Sequence, residues 1–155
     1  MKTKSTAILA VAAILMASCA GNQQTAATAD EAAEKTVCVK GQWNLENIVV
    51  NDTLSVRPAE VDPEASQYIT FEDSTYFVQT NCNTIFGSYS VKGDSIFIGD
   101  GGMTRMACPD MSTEDALVAI LSSIATVSVE NDSTIRLNGS SDARYILLTK
   151  AQDAE

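Results

Sequence analysis

The chain has 155 residues, 45% of them hydrophobic, and a formal net charge of −10 with no histidine. That acidity argues against nucleic-acid backbones and anionic lipid heads as electrostatic partners. The missing imidazole removes the commonest general base, the Ser-His-Asp triad and the usual zinc and iron ligands.

Residues 1–18 read as a lipoprotein signal peptide outside the fold. Lys2 and Lys4 supply a positive start, and Ala7 to Met16 is an apolar run shorter than the about 20 residues a bilayer requires. Leu15-Met16-Ala17-Ser18-Cys19 resembles a bacterial lipobox, with Met16 where Leu is commoner. It implies cleavage before Cys19 and acylation of that residue, several acyl chains together giving stable anchoring. Plain secretion with cleavage near Ala20 is the alternative. Loss of Lys2 and Lys4 makes the remaining chain more acidic still, which suits solubility. Residues 19–36 hold no large side chain able to drive burial, so they are expected to form a lipidated, flexible tether.

The globular part is residues 37–150, one domain with one core, followed by a short tail at 151–155. Trp43, Leu45 and Ile48 predict an opening strand after Gly41, ended by Asn51-Asp52. The acidic, proline-containing stretch from Val56 to Ser66 predicts a long loop. Tyr68 to Phe71 and Tyr76 to Val78 flank Glu72-Asp73-Ser74, a hairpin signal. Gly87 to Val91 and Ser95 to Ile98 flank Lys92-Gly93-Asp94, a second one. Gly99-Asp100-Gly101-Gly102 is glycine-rich, but no helix or lysine accompanies it, so it does not read as a phosphate loop. Ser112, with Asp115 three residues on, predicts a capped helix, and Leu117, Ile120, Leu121 and Ile124 recur on one of its faces. Thr126 to Val129 and Thr134 to Leu137 flank Asn131-Asp132, a third hairpin. Arg144 to Thr149 predicts a last, well-covered strand. A single amphipathic helix among hairpins must lay its apolar face on the sheet. The expected class is α+β, a curved antiparallel sheet packed on one helix.

Three motifs add to this reading. Gly41-Gln42-Trp43-Asn44-Leu45 matches a Gly-x-Trp-x-Leu opening. Cys82-Asn83 with Gly87-Ser88-Tyr89 matches a Cys-Asn pair followed by Gly-x-Tyr. Thr104, Met106 and Cys108 match Thr-x-Met-x-Cys, just before the helix. Over nearly the whole globular part the chain thus resembles the META family of HslJ-like heat-shock domains. The resemblance implies a small open β-barrel with a packed helix, recognised by a fold signature and not by an active site. Cys82 and Cys108 belong to matching signatures, and thiols oxidise outside the cytoplasm. Together these imply a Cys82–Cys108 disulfide with Cys38 left free. Cys38 with Cys82, or with Cys108, are the rival pairings.

Several residues admit a chemical and a structural reading. Met103, Met106 and Met111, with Cys108 and Cys82 nearby, are soft ligands that favour Cu(I). Methionine is also an adaptable core filler, and the structural reading is preferred. Asn81 and Asn83 either bond a ligand or close a turn on their own backbone, the second being favoured. Arg105 is expected to pair with a carboxylate such as Asp110 in preference to binding an anion. Trp43, Tyr68, Tyr76, Phe86 and Tyr89 either line a cleft or, the preferred reading, form plain core. Asp62, Glu64, Asp73 and Asp94 fall in turns, and no spacing marks a catalytic pair. Cys82 has no imidazole to activate it, and no Cys-x-x-Cys motif exists. Asp52-Thr53-Leu54, Asp73-Ser74-Thr75, Asp94-Ser95-Ile96 and Asp132-Ser133-Thr134 resemble an O-glycosylation sequon of envelope proteins, and equally ordinary turns.

The expected function is that of a non-enzymatic, lipid-anchored protein of the outer membrane, without a cofactor. It would serve stress tolerance or envelope maintenance by binding a protein or an apolar ligand, the tether raising its local concentration. The alternative is a copper-binding protein using Met103, Met106 and Met111. An enzyme is the third and least supported reading.

Overall fold

The computed structural model describes residues 36–141 and 143–151. The expected signal peptide, Cys19 and all of the tether before Thr36 lie outside these residues, as does the tail after Ala151.

Nine strands form one sheet: β1 (Gly41–Asn51), β2 (Leu54–Val56), β3 (Tyr68–Phe71), β4 (Thr75–Gln79), β5 (Thr84–Lys92), β6 (Ser95–Met103), β7 (Ile124–Asn131), β8 (Thr134–Gly139) and β9 (Tyr145–Lys150). Helix α1 (Pro58–Val61) follows β2, and α2 (Ser112–Ile120) precedes β7 through a 3-10 turn at Leu121–Ser123. Strands β3 to β9 run in sequence order, and β1 pairs with both β3 and β9. The sheet therefore closes into an eight-stranded antiparallel barrel, with β2 added alongside the second half of β1. The molecule is mostly β. The expected open barrel is corrected to a closed one, because β1 bends and pairs at both edges.

Closure depends on a bulge in β1. Leu45 lies opposite Leu148 and Asn47 opposite Leu147, so one extra residue sits in β1. That shift reverses the strand's alternation. Trp43 and Leu45 face the core before it, and Ile48 and Val50 face the core after it. Ile69, Phe71, Val78, Ile85, Val127, Leu137, Ile146 and Leu148 fill the interior from the remaining strands.

Three hairpins form where the sequence predicts them, and the last strand is covered on both edges, by β8 and β1. Other expectations need correction. The loop at Val56–Ser66 contains α1, with Pro58 buried in its first turn, where a missing N–H costs nothing. The strand expected over Ser95 to Ile98 is longer, because β6 continues through the glycine tract Gly99–Gly102 to Met103 against β5. A Cβ on Gly101 would lie 1.9 Å from the Phe86 carbonyl oxygen, so the ladder itself demands glycine there.

The helix ends earlier than its periodicity suggests. Leu117 and Ile120 are fully buried on α2, Leu121 is buried in the 3-10 turn, and Ile124 already begins β7. No Ser112–Asp115 capping box forms. Instead, Ser112 N–H and Oγ both donate to the Asp110 carboxylate. Helix α2 packs on β1 and β2, on the sheet as expected, but α1 makes it one of two helices.

Candidate functional site

Strands β6 and β7 share only one register pair, Ser95 with Thr126. Beyond it β6 runs on along the 3-10 turn and α2, where no strand of the described residues lies beside it. The gap is a half-open cleft of about 560 Å³. Ile98 to Met103 form one wall, Val118, Leu121 and Ser122 the other, and Tyr76, Ile85, Phe86 and Arg105 complete it.

The β4–β5 turn fixes this geometry. Thr80 Oγ1 accepts from the backbone N–H of Cys82 (3.1 Å) and of Asn83 (2.8 Å), which folds the turn tightly. The next three residues then each grip the irregular segment after β6. Asn81 Nδ2 donates to the Asp110 carbonyl at 3.0 Å. Cys82 is joined to Cys108 by a disulfide. Asn83 Oδ1 accepts from Met106 N (2.8 Å) and Thr104 Oγ1 (2.8 Å), while its Nδ2 donates to the Met106 carbonyl at 3.0 Å. A segment outside the sheet has no ladder partners for its backbone, so side chains must satisfy it. The asparagines thus do more than close their own turn. They clamp a neighbouring loop, a role that local sequence does not reveal.

Asn83 also reaches α2, donating to Glu114 Oε2 at 2.7 Å. Asn83 is 1% and Glu114 3% exposed, and this bond helps hold the helix across the cleft from β6. Nothing in the local sequence marks Glu114, which lies beside the apolar face and looks like an ordinary first-turn acid.

The three methionines separate in depth but share a place. Met103, Met106 and Met111 line a shallow cavity of about 380 Å³ with Glu114, Asp115 and Arg105. Cys82 and Cys108 are spent in their disulfide and offer no thiolate there. No cluster of three or more His, Cys, Asp or Glu residues suited to a metal exists among the described residues. Arg105 is exposed and forms no ion pair with Asp110, whose carboxylate is instead held by Ser112. Those hydrogen bonds, the hydroxyl's first, pull the Asp110 carboxyl below its ordinary value.

The aromatic residues divide. Trp43, Tyr76 and Tyr89 are buried core, as preferred. Tyr76 lies so close over Gly87 that a Cβ there would meet its ring at 2.8 Å. Phe86 is 49% exposed and stands at the cleft. Phe77 pairs with it across the β4–β5 ladder, and with Tyr68 both line a second depression on the outer face. Thr53, Ser74, Ser95 and Ser133 are all exposed, in or beside turns. Cys38, expected to be left free, is disulfide-bonded. Its partner lies outside the described residues, because Cys82 and Cys108 pair with each other. Cys38 is exposed, ahead of β1.

The profile of the META domain matches residues 35–152. No curated protein matches the chain significantly. An NMR structure of a protein from Burkholderia xenovorans is similar at 21% identity with a TM-score of 0.62, covering 86% of this chain and 99% of that one. The crystal structure of a DUF4847 family protein from Bacteroides vulgatus is 14% identical with a TM-score of 0.51, over 74% of this chain and 95% of that one. At these identities the likeness is one of fold.

Proposed function

Because the chain belongs to the META domain family, we propose that it is a lipid-anchored protein of the outer membrane that binds a partner without catalysing a reaction. Its role is stress tolerance or envelope maintenance, and its ligand is a protein or an apolar molecule. The observation that carries the binding reading is the cleft between β6 and α2. Its walls set the apolar side chains of Ile85, Ile98, Met103, Val118 and Leu121 beside Asp100, Arg105, Ser122 and bare glycine backbone, it opens to solvent, and a disulfide and a buried asparagine hold it in shape. Concave, pre-formed sites that combine apolar side chains with a few placed polar groups are where ligands bind.

A photo-reactive residue at Val118, on the cleft wall, tests this in whole cells. Cross-links to an envelope component are expected from Val118 and not from Val129, which is exposed on β7. Equal cross-linking from both positions would remove the cleft from consideration. Anchoring is tested separately by Cys19→Ala, which should lose incorporation of an alkynyl fatty acid and leave the membrane fraction. An acylated Cys19 has no thiol left for a disulfide, so the oxidation state of Cys38 is read in the same samples.

A second reading, a soft-metal protein, is favoured by the meeting of Met103, Met106 and Met111 around one cavity. Thioethers prefer Cu(I), and Glu114 and Asp115 add oxygen donors beside them. Titration with Cu(I) decides it. Binding that disappears in Met106→Leu supports this reading, and no binding at micromolar copper eliminates it.

A further inference from the structure

We infer that the second half of β6 is a docking edge for an extended polypeptide segment of another protein, which adds to the sheet as an antiparallel strand. The inference rests on the binding reading of the cleft and names the partner's chemistry. Its first support is backbone hydrogen bonding. Thr104 N–H donates to the Thr84 carbonyl at 3.0 Å, and Gly102 lies opposite Phe86. Alternate residues of an antiparallel strand direct their N–H and C=O groups to the same neighbour. Gly102 and Thr104 therefore face β5, whereas Gly101 and Met103 turn theirs the other way, into the cleft. Among the described residues no strand meets them there, since β7 pairs with β6 only at Ser95. Exposed strand edges of this kind are templates for a further strand.

Charge selects the segment. Arg105 stands at one end of the cleft with no ion pair among the described residues, in a chain whose net charge is −10. Asp100 stands towards the other end of the same wall. An antiparallel occupant runs from Arg105 towards Asp100, so it carries an acidic residue near its N-terminal end and a basic residue near its C-terminal end. Between them, alternate aliphatic side chains meet Ile85, Met103, Val118 and Leu121. Main-chain hydrogen bonds supply affinity in this mode, and the side-chain contacts supply selection.

The test uses the mature chain and three blocked hexapeptides, followed by amide NMR. The first is Asp-Val-Thr-Val-Thr-Lys, the second its charge-reversed form, and the third the first sequence with alternate backbone N-methylation. Binding of the first should shift the Gly101 and Met103 amides and slow their hydrogen exchange. N-methylation should weaken it about tenfold or more, because backbone hydrogen bonds are lost. Arg105→Glu, at an exposed position, should reverse the preference between the two charge patterns. Equal binding of the N-methylated peptide would overturn strand addition in favour of a side-chain pocket. Shifts confined to Tyr68 and Phe77 would place binding on the outer face and overturn it too. So would concentration-dependent self-association through the same amides without peptide, which would make a second copy the occupant. If no hexapeptide binds while Val118 still cross-links a partner in cells, strand addition fails and the cleft reading stands.

Discussion

The Asn83 amide and the Glu114 carboxylate meet at 2.7 Å across 31 residues of chain, both almost wholly buried. This contact joins the β4–β5 turn to α2, the two structures on which the cleft depends. A buried carboxylate deprived of its donor loses its compensation for desolvation. Asn83→Ala should therefore destabilise the protein by about 3 kcal/mol in urea unfolding, more than a neutral hydrogen bond is worth. Adding Glu114→Leu should recover part of that loss, because the orphaned acid is gone. A loss below about 1 kcal/mol in the single variant would mean that water replaces the amide.

The Cys82–Cys108 disulfide ties residues separated by 26 positions. In the chain-entropy account, closing a loop of this length contributes roughly 3.5 kcal/mol. The double variant Cys82→Ser, Cys108→Ser should unfold at correspondingly lower urea, with its greatest loss of amide protection at 104–111. Alkylation of the unfolded, unreduced protein should leave both cysteines unlabelled. A label on Cys108 would contradict the pairing.

Thr113 presents the opposite case. It is fully buried on α2, and its hydroxyl oxygen has no hydrogen-bond partner among the described residues. Replacing an unsatisfied buried hydroxyl by an isosteric methyl removes a penalty and creates no cavity. Thr113→Val should be neutral or stabilise by up to about 1 kcal/mol. A clear destabilisation would show that the hydroxyl finds a partner in solution, most simply a bound water.

Asp110 links the helix start to pH. Ser112's hydroxyl and N–H lower its carboxyl below the ordinary 3.8. A carboxyl depressed on folding contributes stability that is present above the unfolded value and lost as pH falls through the folded one. The protein should therefore weaken at the start of α2 below about pH 4. Asp110→Asn should flatten the acid dependence there while leaving neutral-pH stability little changed. An unchanged acid limb in amide exchange of 110–114 would show that the cap carries no pH dependence. Asp110 is fully exposed, so the effect belongs to local fraying and not to global unfolding.

The sequence by itself determined which residues face the core and where the hairpins turn. Alternation in Tyr68–Phe71, turn residues such as Gly93-Asp94, and the helical spacing of Leu117 and Ile120 are local signals. Local backbone preference and burial read them the same way. The family signature was legible too, and so was the pairing it implied for Cys82 and Cys108. Local pattern failed where a distant partner decides. The β1 bulge depends on β9 lying opposite, and strand structure through Gly99–Gly102 depends on β5 accepting a bare backbone against Phe86. Ser112 looks like a cap only until Asp110 competes for its hydroxyl. The meaning of Asn81 and Asn83 is also tertiary, because their hydrogen bonds to the segment after β6 and to α2 span 21 to 31 residues. The cleft itself could not be read from the chain. It exists because β6 outruns β7 while α2 is held beside it, and an unpaired edge is a property of what fails to pack against a strand.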